Sequence, residues 1–263
     1  MSGRAQVQVD AAHGGRIASL RDATGVERLW SRPDPRRAHV SPGDGFVDVG
    51  GVEECFPTLA GNPDHGDVWS RPWMSTDDVL VCDLGDARLE RRLRTDDEGL
   101  EATYELLANP GYRFIWAFHA LLDHAPGLIV DLPGACRVLS WPDGYGAAAR
   151  EDFWPRVGRH ARFDIAGADD GTSAFALIPG QRTASVESSA GTLRVTLDAP
   201  GQPTAMGIWR NLAGWPDGTP YRSWGIEPMI GWHPERDRAG AHGGVVASGR
   251  LTWTLRVDLP LRV

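Results

Sequence analysis

Apolar residues along this chain recur with a period of two far more often than with a period of 3.6. In LTWTLRVDL (251–259), Leu251, Trp253, Leu255, Val257 and Leu259 share one face, and Thr252, Thr254, Arg256 and Asp258 the other. That is the pattern of a half-buried strand. GTLRVTLDA repeats it through Leu193, Val195 and Leu197, GLEATYELL through Leu100, Ala102, Tyr104 and Leu106, and AQVQVD near the start does the same. Clusters rich in Gly, Pro, Asp and Asn separate the runs: DATG, TDDEG, NPGY, HAPG, ADDG, DAPG and AGWPDG. Each is a turn signal. No amphipathic helix longer than about three turns emerges; only AAAREDFWPRV (147–157) reads as a short one. Many strands without intervening helices predict antiparallel sheets packed as a sandwich, an all-β fold forming one domain over 1–263.

Two stretches break the alternation: 31–73, and 209–244 on either side of a short extended run. Irregular segments this long inside a compact domain usually carry function. Seven of the 11 tryptophans lie in or beside them, namely Trp30, Trp69, Trp73, Trp209, Trp215, Trp224 and Trp232. Their rings serve either as loop core or as stacking surfaces for a ring-shaped ligand. The segment PDHGDVWSRPW (63–73) concentrates the question. Its prolines and glycine forbid regular structure, yet it gathers Asp64, His65, Asp67, Trp69, Arg71 and Trp73.

Composition narrows the partners. The net charge of −8 argues against nucleic acid or an anionic membrane surface. All 27 basic residues are arginines, which excludes chemistry built on a Schiff-base or phosphate-cradling lysine. No uncharged apolar run reaches the length of a membrane-spanning helix. The N-terminal residues do not resemble a signal peptide, and Cys55, Cys82 and Cys136 are odd in number and lack metal-ligand spacing. The expectation is a cytoplasmic protein with reduced thiols, a monomer or a homodimer.

Three places carry candidate chemistry. In SWGIEPMIGW (223–232), Pro228 holds Glu227 extended at the end of a short strand. Alternation sets Glu227 on the face of Ser223 and Gly225, with room beside it. A carboxylate there is either a surface group or a partly desolvated general base. FIWAFHALL (114–122) is apolar on both faces and reads as an interior strand. His119 interrupts it, as a satisfied core residue or as an acid–base group pointing into a cavity. His65 has no second ligand at metal-binding spacing, no G-x-S-x-G occurs, and GDGFVDVGG lacks dinucleotide-binding spacing. Neither a metal nor a cofactor is expected.

Taken in order, GGVEECFPTLAGNPDHGDVWSRPW, IWAFHALL and WGIEPMIGW resemble motifs of the aldose 1-epimerase (galactose mutarotase-like) superfamily. GGRIASLRDATGVERLW and LTWTLRVDL are similar to its first and last strands. The resemblance implies a large antiparallel β-supersandwich that interconverts the anomers of a small-molecule carbohydrate without metal or cofactor. It implies Glu227 as the base at the C1 hydroxyl, His119 as the acid at the ring oxygen, and His65 as a hydrogen-bonding partner. Arg71, Trp69, Asp67, Glu54 and Trp209 are the expected substrate-binding residues, with Glu54 alternatively paired to Arg71. Relatives acting on phosphorylated hexoses carry arginines where this chain has Val49 and Trp69, so an unphosphorylated sugar is expected. The rival readings are a non-catalytic carbohydrate-binding sandwich, and a lyase or isomerase using Arg71 or Arg210 to hold a carboxylate.

Overall fold

The computed structural model describes residues 3–122, 127–134 and 136–260. The predicted turn HAPG (124–127) lies outside them except for Gly127. Among the described residues are nineteen strands, most of them in two antiparallel sheets. The nine-stranded sheet runs in the order Gln6–Asp10, Arg16–Arg21, Val52–Cys55, Trp116–Leu122, Tyr221–Ile230, Thr204–Trp215, Thr172–Pro179, Arg137–Ser140, Arg150–Phe153. The eight-stranded sheet runs Ile129–Asp131, Thr183–Ser188, Gly191–Asp198, Arg250–Asp258, Gly99–Ala108, Ala87–Thr95, Val79–Asp83, Met74–Thr76. Both sheets draw strands from early and late parts of the chain. Among the described residues, no helix is long and apolar enough to cross a membrane.

The alternation read from sequence decides which side chains meet between the sheets. Trp253, Leu255 and Val257 are buried, and so are Leu193, Val195, Leu197, Leu100, Ala102, Tyr104 and Leu106. Leu197 faces Leu255 and Val195 faces Val257 across neighbouring strands, the cross-strand pairing that stabilises sheets. The rings of Tyr104 and Trp253 stack at 5.1 Å, with Trp116 edge-on to both. From the other sheet come Trp116, Phe118, Trp224 and Ile226.

Two expectations change. The stretch 209–244 is not mainly irregular, because Thr204–Trp215 and Tyr221–Ile230 form a long hairpin. Its period of two is hidden in the sequence because both faces of this sheet are covered. Cys55, Leu59, Ile115, Ala117, Ala205 and Met229 form a second apolar cluster on the outer face. The proposed helix at 147–157 is instead the edge strand Arg150–Phe153, whose backbone pairs with Arg137–Ser140. Pro155, two residues on, would in any case interrupt a helix there. The 31–73 stretch is irregular for most of its length, apart from strand Val52–Cys55 and 3-10 turns at Pro35–His39 and Val68–Ser70.

Candidate active site

The register of the nine-stranded sheet lines up three titratable side chains on its outer face. Glu53 pairs with His119 across one strand boundary. Across the next, the pairs Ile226–Ala120 and Met229–Ala117 set Glu227 directly opposite His119. The ladder has no pairs at Glu227 and Pro228 themselves. Proline brings no N–H to a ladder, so the sheet loosens where the carboxylate meets the imidazole. The strand nonetheless continues to Ile230, so Glu227 lies within it and not at its end. His119 Nδ1 is 2.9 Å from Glu227 Oε1. The second carboxylate oxygen, Glu227 Oε2, remains buried without a hydrogen-bond partner. Such groups are costly unless something satisfies them.

The two carboxylates beside His119 are not equivalent. Glu53 Oε2 accepts from Arg37 Nη2 at 2.9 Å, and Arg16 Nε stands 4.0 Å from its other oxygen. Burial nonetheless outweighs these guanidinium groups and raises its carboxyl from 4.5 to about 7. Glu227, 1 % exposed, has only His119 as an ion-pair partner among the described residues. Burial pulls the affinity of His119 for a proton down, but the Glu227 charge and hydrogen bonding outweigh it, with Asp48 and Glu53 adding to them. The imidazole is raised from 6.5 to about 9. At neutral pH His119 is thus an imidazolium.

Glycines make the space around this pair. Gly207 lies opposite Glu227 and Gly225 opposite Trp209, so each bulky side chain faces a vacancy on the next strand. A Cβ on Gly207 would come within 2.8 Å of the Phe175 ring, and one on Gly225 within 3.0 Å of Trp209 Cβ. Phe175 and Trp209 are themselves cross-strand partners, and Trp209 Nε1 donates to Ser223 Oγ at 3.0 Å. The result is a pocket of ≈ 190 Å³ with Glu227, His119, His65, Asp48 and Asp64 as its titratable lining and Phe46, Tyr145, Phe175, Trp209 and Trp215 as its aromatic walls. Burial raises the Tyr145 phenol, and the nearby Glu227 charge adds to that. It therefore stays a neutral hydroxyl.

His65 reaches the pocket from the loop that follows Val52–Cys55. Its backbone is left-handed, with φ 60°, an uncommon state for a residue bearing a side chain. Gly66 follows at φ 74°, and a Cβ there would strike Phe56 O at 2.2 Å, so only glycine allows this turn. Asp67 N then donates to Phe56 O at 2.8 Å and closes the loop. The His65 ring sits 5.3 Å from that of His119, stacks on Phe46 at 3.7 Å, and has Nδ1 3.1 Å from Asp64 Oδ1.

Of the residues singled out from sequence, Glu227, His119, His65 and Trp209 come together in this pocket, and four others do not line it. Glu54 is 0 % exposed and points between the sheets. There it binds Arg91 Nη1, the Tyr104 hydroxyl and Trp116 Nε1, each at 2.7 Å. Adjacent strand residues face opposite ways, so Glu53 takes the outer face and Glu54 the core. Its basic partner is Arg91, not Arg71. Trp69 packs behind the pocket under Arg37 and donates to Asp64 O at 3.2 Å. Asp67 and Arg71 spend their backbones on the loop, and Arg71 makes no contribution to the lining. Arg210 is committed to Asp170 at 2.7 Å and Thr172 at 2.8 Å, so neither Arg71 nor Arg210, the two alternatives for holding a carboxylate, lines the pocket. Sequence reasoning missed Asp48, whose Oδ1 accepts from Gly50 N at 2.9 Å while its Oδ2 accepts from the Tyr221 hydroxyl. It also missed Phe46, Tyr145 and Phe175. The only cue for Phe46 and Asp48 was their place in the irregular 31–73 stretch.

Among the described residues, no three of His, Cys, Asp and Glu gather as metal ligands, and the three cysteines are free and buried. No family model and no curated protein matches the chain. Solved structures do. A protein of Escherichia coli K12, provisionally named an aldose 1-epimerase, is 16 % identical over 97 % of this chain and 96 % of its own, with a TM-score of 0.67. The chain has the galactose mutarotase-like fold. A Salmonella typhimurium protein provisionally named a mutarotase is 17 % identical over 98 % of this chain and 88 % of its own, at 0.63. A galactose mutarotase-like protein of Lactobacillus casei is 14 % identical over 99 % and 98 %, at 0.64. At such identities the shared property is the mutarotase-like fold, and the chemistry rests on the pocket.

Proposed function

We propose that the protein is a mutarotase of the aldose 1-epimerase type, acting on a sugar whose reducing ring is uncharged. The observation that carries this reading is the buried contact of His119 with Glu227 in a small aromatic pocket. Ring opening of a pyranose needs a base at the C1 hydroxyl and an acid at the ring oxygen. Both oxygens are bonded to C1, so acid and base must be neighbours.

Glu227 Oε2 accepts the proton of the C1 hydroxyl while the His119 imidazolium delivers one to the ring oxygen. The C1–O5 bond breaks, leaving a free aldehyde and a C5 hydroxyl. After rotation about C1–C2, His119 takes the proton back from the C5 hydroxyl as its oxygen attacks C1. Glu227 returns its proton to the new C1 hydroxyl. Both groups end as they began, and each positioned acid or base contributes roughly 10²–10⁴-fold. His65 holds an oxygen at the reacting end, and Trp209 and Phe175 supply faces for the sugar's C–H surface. The lining holds three carboxylates and no arginine, which favours neutral hydroxyls over a phosphate.

Polarimetry of freshly dissolved α-glucose, α-galactose and a panel of rarer aldoses tests the reading. The expected result is faster approach to the equilibrium rotation for at least one sugar. Sugar-induced shifts of pocket NMR signals without acceleration would instead identify a binding module.

A further inference from the structure

Beyond Tyr145 and Phe175 lies a second groove of ≈ 440 Å³, more than twice the ≈ 190 Å³ of the pocket. The two rings belong to both linings and form a shared wall. The groove differs in character from the pocket. Ser140, Ser173 and Trp141 line it together with Arg150, Arg159 and His160. Arg150 opens the edge strand and faces Ser140 across the ladder. Its Nη1 lies 3.8 Å from the position of a Cβ on Gly158, and Arg159 is the next residue, in the tight turn closed by Val157 and His160.

Two cations thus share one groove in a chain with a net charge of −8. Among the described residues neither has an ion-pair partner. The neighbouring carboxylates are engaged elsewhere: Glu151 with Arg137 at 3.3 Å, Asp152 with Gly158 N at 2.7 Å, and Asp170 with Arg210 at 2.7 Å. The space matches the lower end of ordinary ligand sites, roughly 300–1,000 Å³, so it accommodates a ring and not merely a substituent. Trp141 supplies an aromatic surface within it.

We infer that the substrate is a reducing disaccharide, or the reducing end of a longer chain, whose second ring carries a carboxylate or sulfate. The neutral reducing ring occupies the pocket and the acidic ring the groove, with Arg150 and Arg159 pairing its anion. Placement of the reducing ring rests on the mutarotase reading, whereas the groove's preference for an anion does not.

The test is calorimetric titration of the full chain with glucuronosyl-glucose disaccharides of β-1,3, β-1,4 and α-1,4 linkage, a sulfated lactose, neutral cellobiose and lactose, and glucose 6-phosphate. The wild type is compared with Arg150→Ala, Arg159→Ala and the double variant. We expect at least one acidic disaccharide to bind about tenfold tighter than its neutral counterpart at low ionic strength, or about 1.4 kcal/mol. Added salt and the double variant should erase that preference. Whether the carboxylate or the sulfate series gains identifies the acid. Equal affinity for acidic and neutral disaccharides, or a preference that survives in the double variant, overturns the inference. Tighter binding of glucose 6-phosphate than of any disaccharide also overturns it. Arginine-dependent binding without faster anomer exchange would keep the groove and refute the mutarotase. Accelerated exchange of neutral sugars with no acidic preference would do the reverse.

Discussion

Replacing Glu227 by Gln keeps the shape of the pocket and removes one charge, and the structure states what His119 should then do. In the wild type its imidazole is raised from 6.5 to about 9, against a burial that favours the neutral ring. At about 1.36 kcal/mol per pH unit, that rise is worth about 3 kcal/mol in favour of the imidazolium. Glutamine leaves the burial and removes the principal opposing charge, so His119 should titrate below 6.5 and be neutral at pH 7. A histidine with its folded-state value raised adds stability that is fully present below pH 6.5 and is lost as pH climbs through about 9. The wild type should therefore lose stability between those limits, and the variant should not show that loss. The ring Cε1–Hε1 signal of His119, assigned by its disappearance in His119→Asn, reports the titration directly, and urea melts across pH report the linkage. A wild-type midpoint at or below 6.5, or a midpoint near 9 that persists in Glu227→Gln, would refute the electrostatic account of the pair.

The remaining predictions concern the surroundings. Glu54→Gln leaves Arg91 buried with its charge unpaired and should cost about 3–5 kcal/mol in urea unfolding; a loss under about 1 kcal/mol would show that the core network is dispensable. Gly207→Ala places a methyl group against Phe175 and Glu227 and should raise the sugar KM about tenfold with an unchanged fold by circular dichroism; an unchanged KM would mean that sugars bind elsewhere. Arg71→Ala should leave sugar turnover within about twofold, since Arg71 lies outside the lining, and a large drop would restore a role for it in binding.

How much of this was legible in the sequence depended on whether one face or two faces of a strand are covered. Arg250–Asp258 and Gly191–Asp198 alternate openly because their outer face meets solvent. The Thr204–Trp215 and Tyr221–Ile230 hairpin, which holds the site, is buried on both sides, so its apolar residues run together and its period is masked. Glu227 and His119 were recognisable because a carboxylate and an imidazole within such apolar runs demand partners. That they partner each other follows from register, which depends on turns far away in the chain. Glu54 was misplaced because one position of strand phase separates the pocket face from the sandwich core. Asp48 and Phe46 lie in irregular backbone, where no periodicity assigns a direction to a side chain.

Saturation-transfer NMR between the anomers of the best sugar, run on wild type, Glu227→Gln and His119→Asn, tests the acid–base pair most directly. The account predicts exchange well above buffer in the wild type and near-background exchange in both variants, with sugar-induced shifts retained in at least one. Wild-type exchange no faster than buffer for every sugar tried, or full exchange in Glu227→Gln, would contradict it.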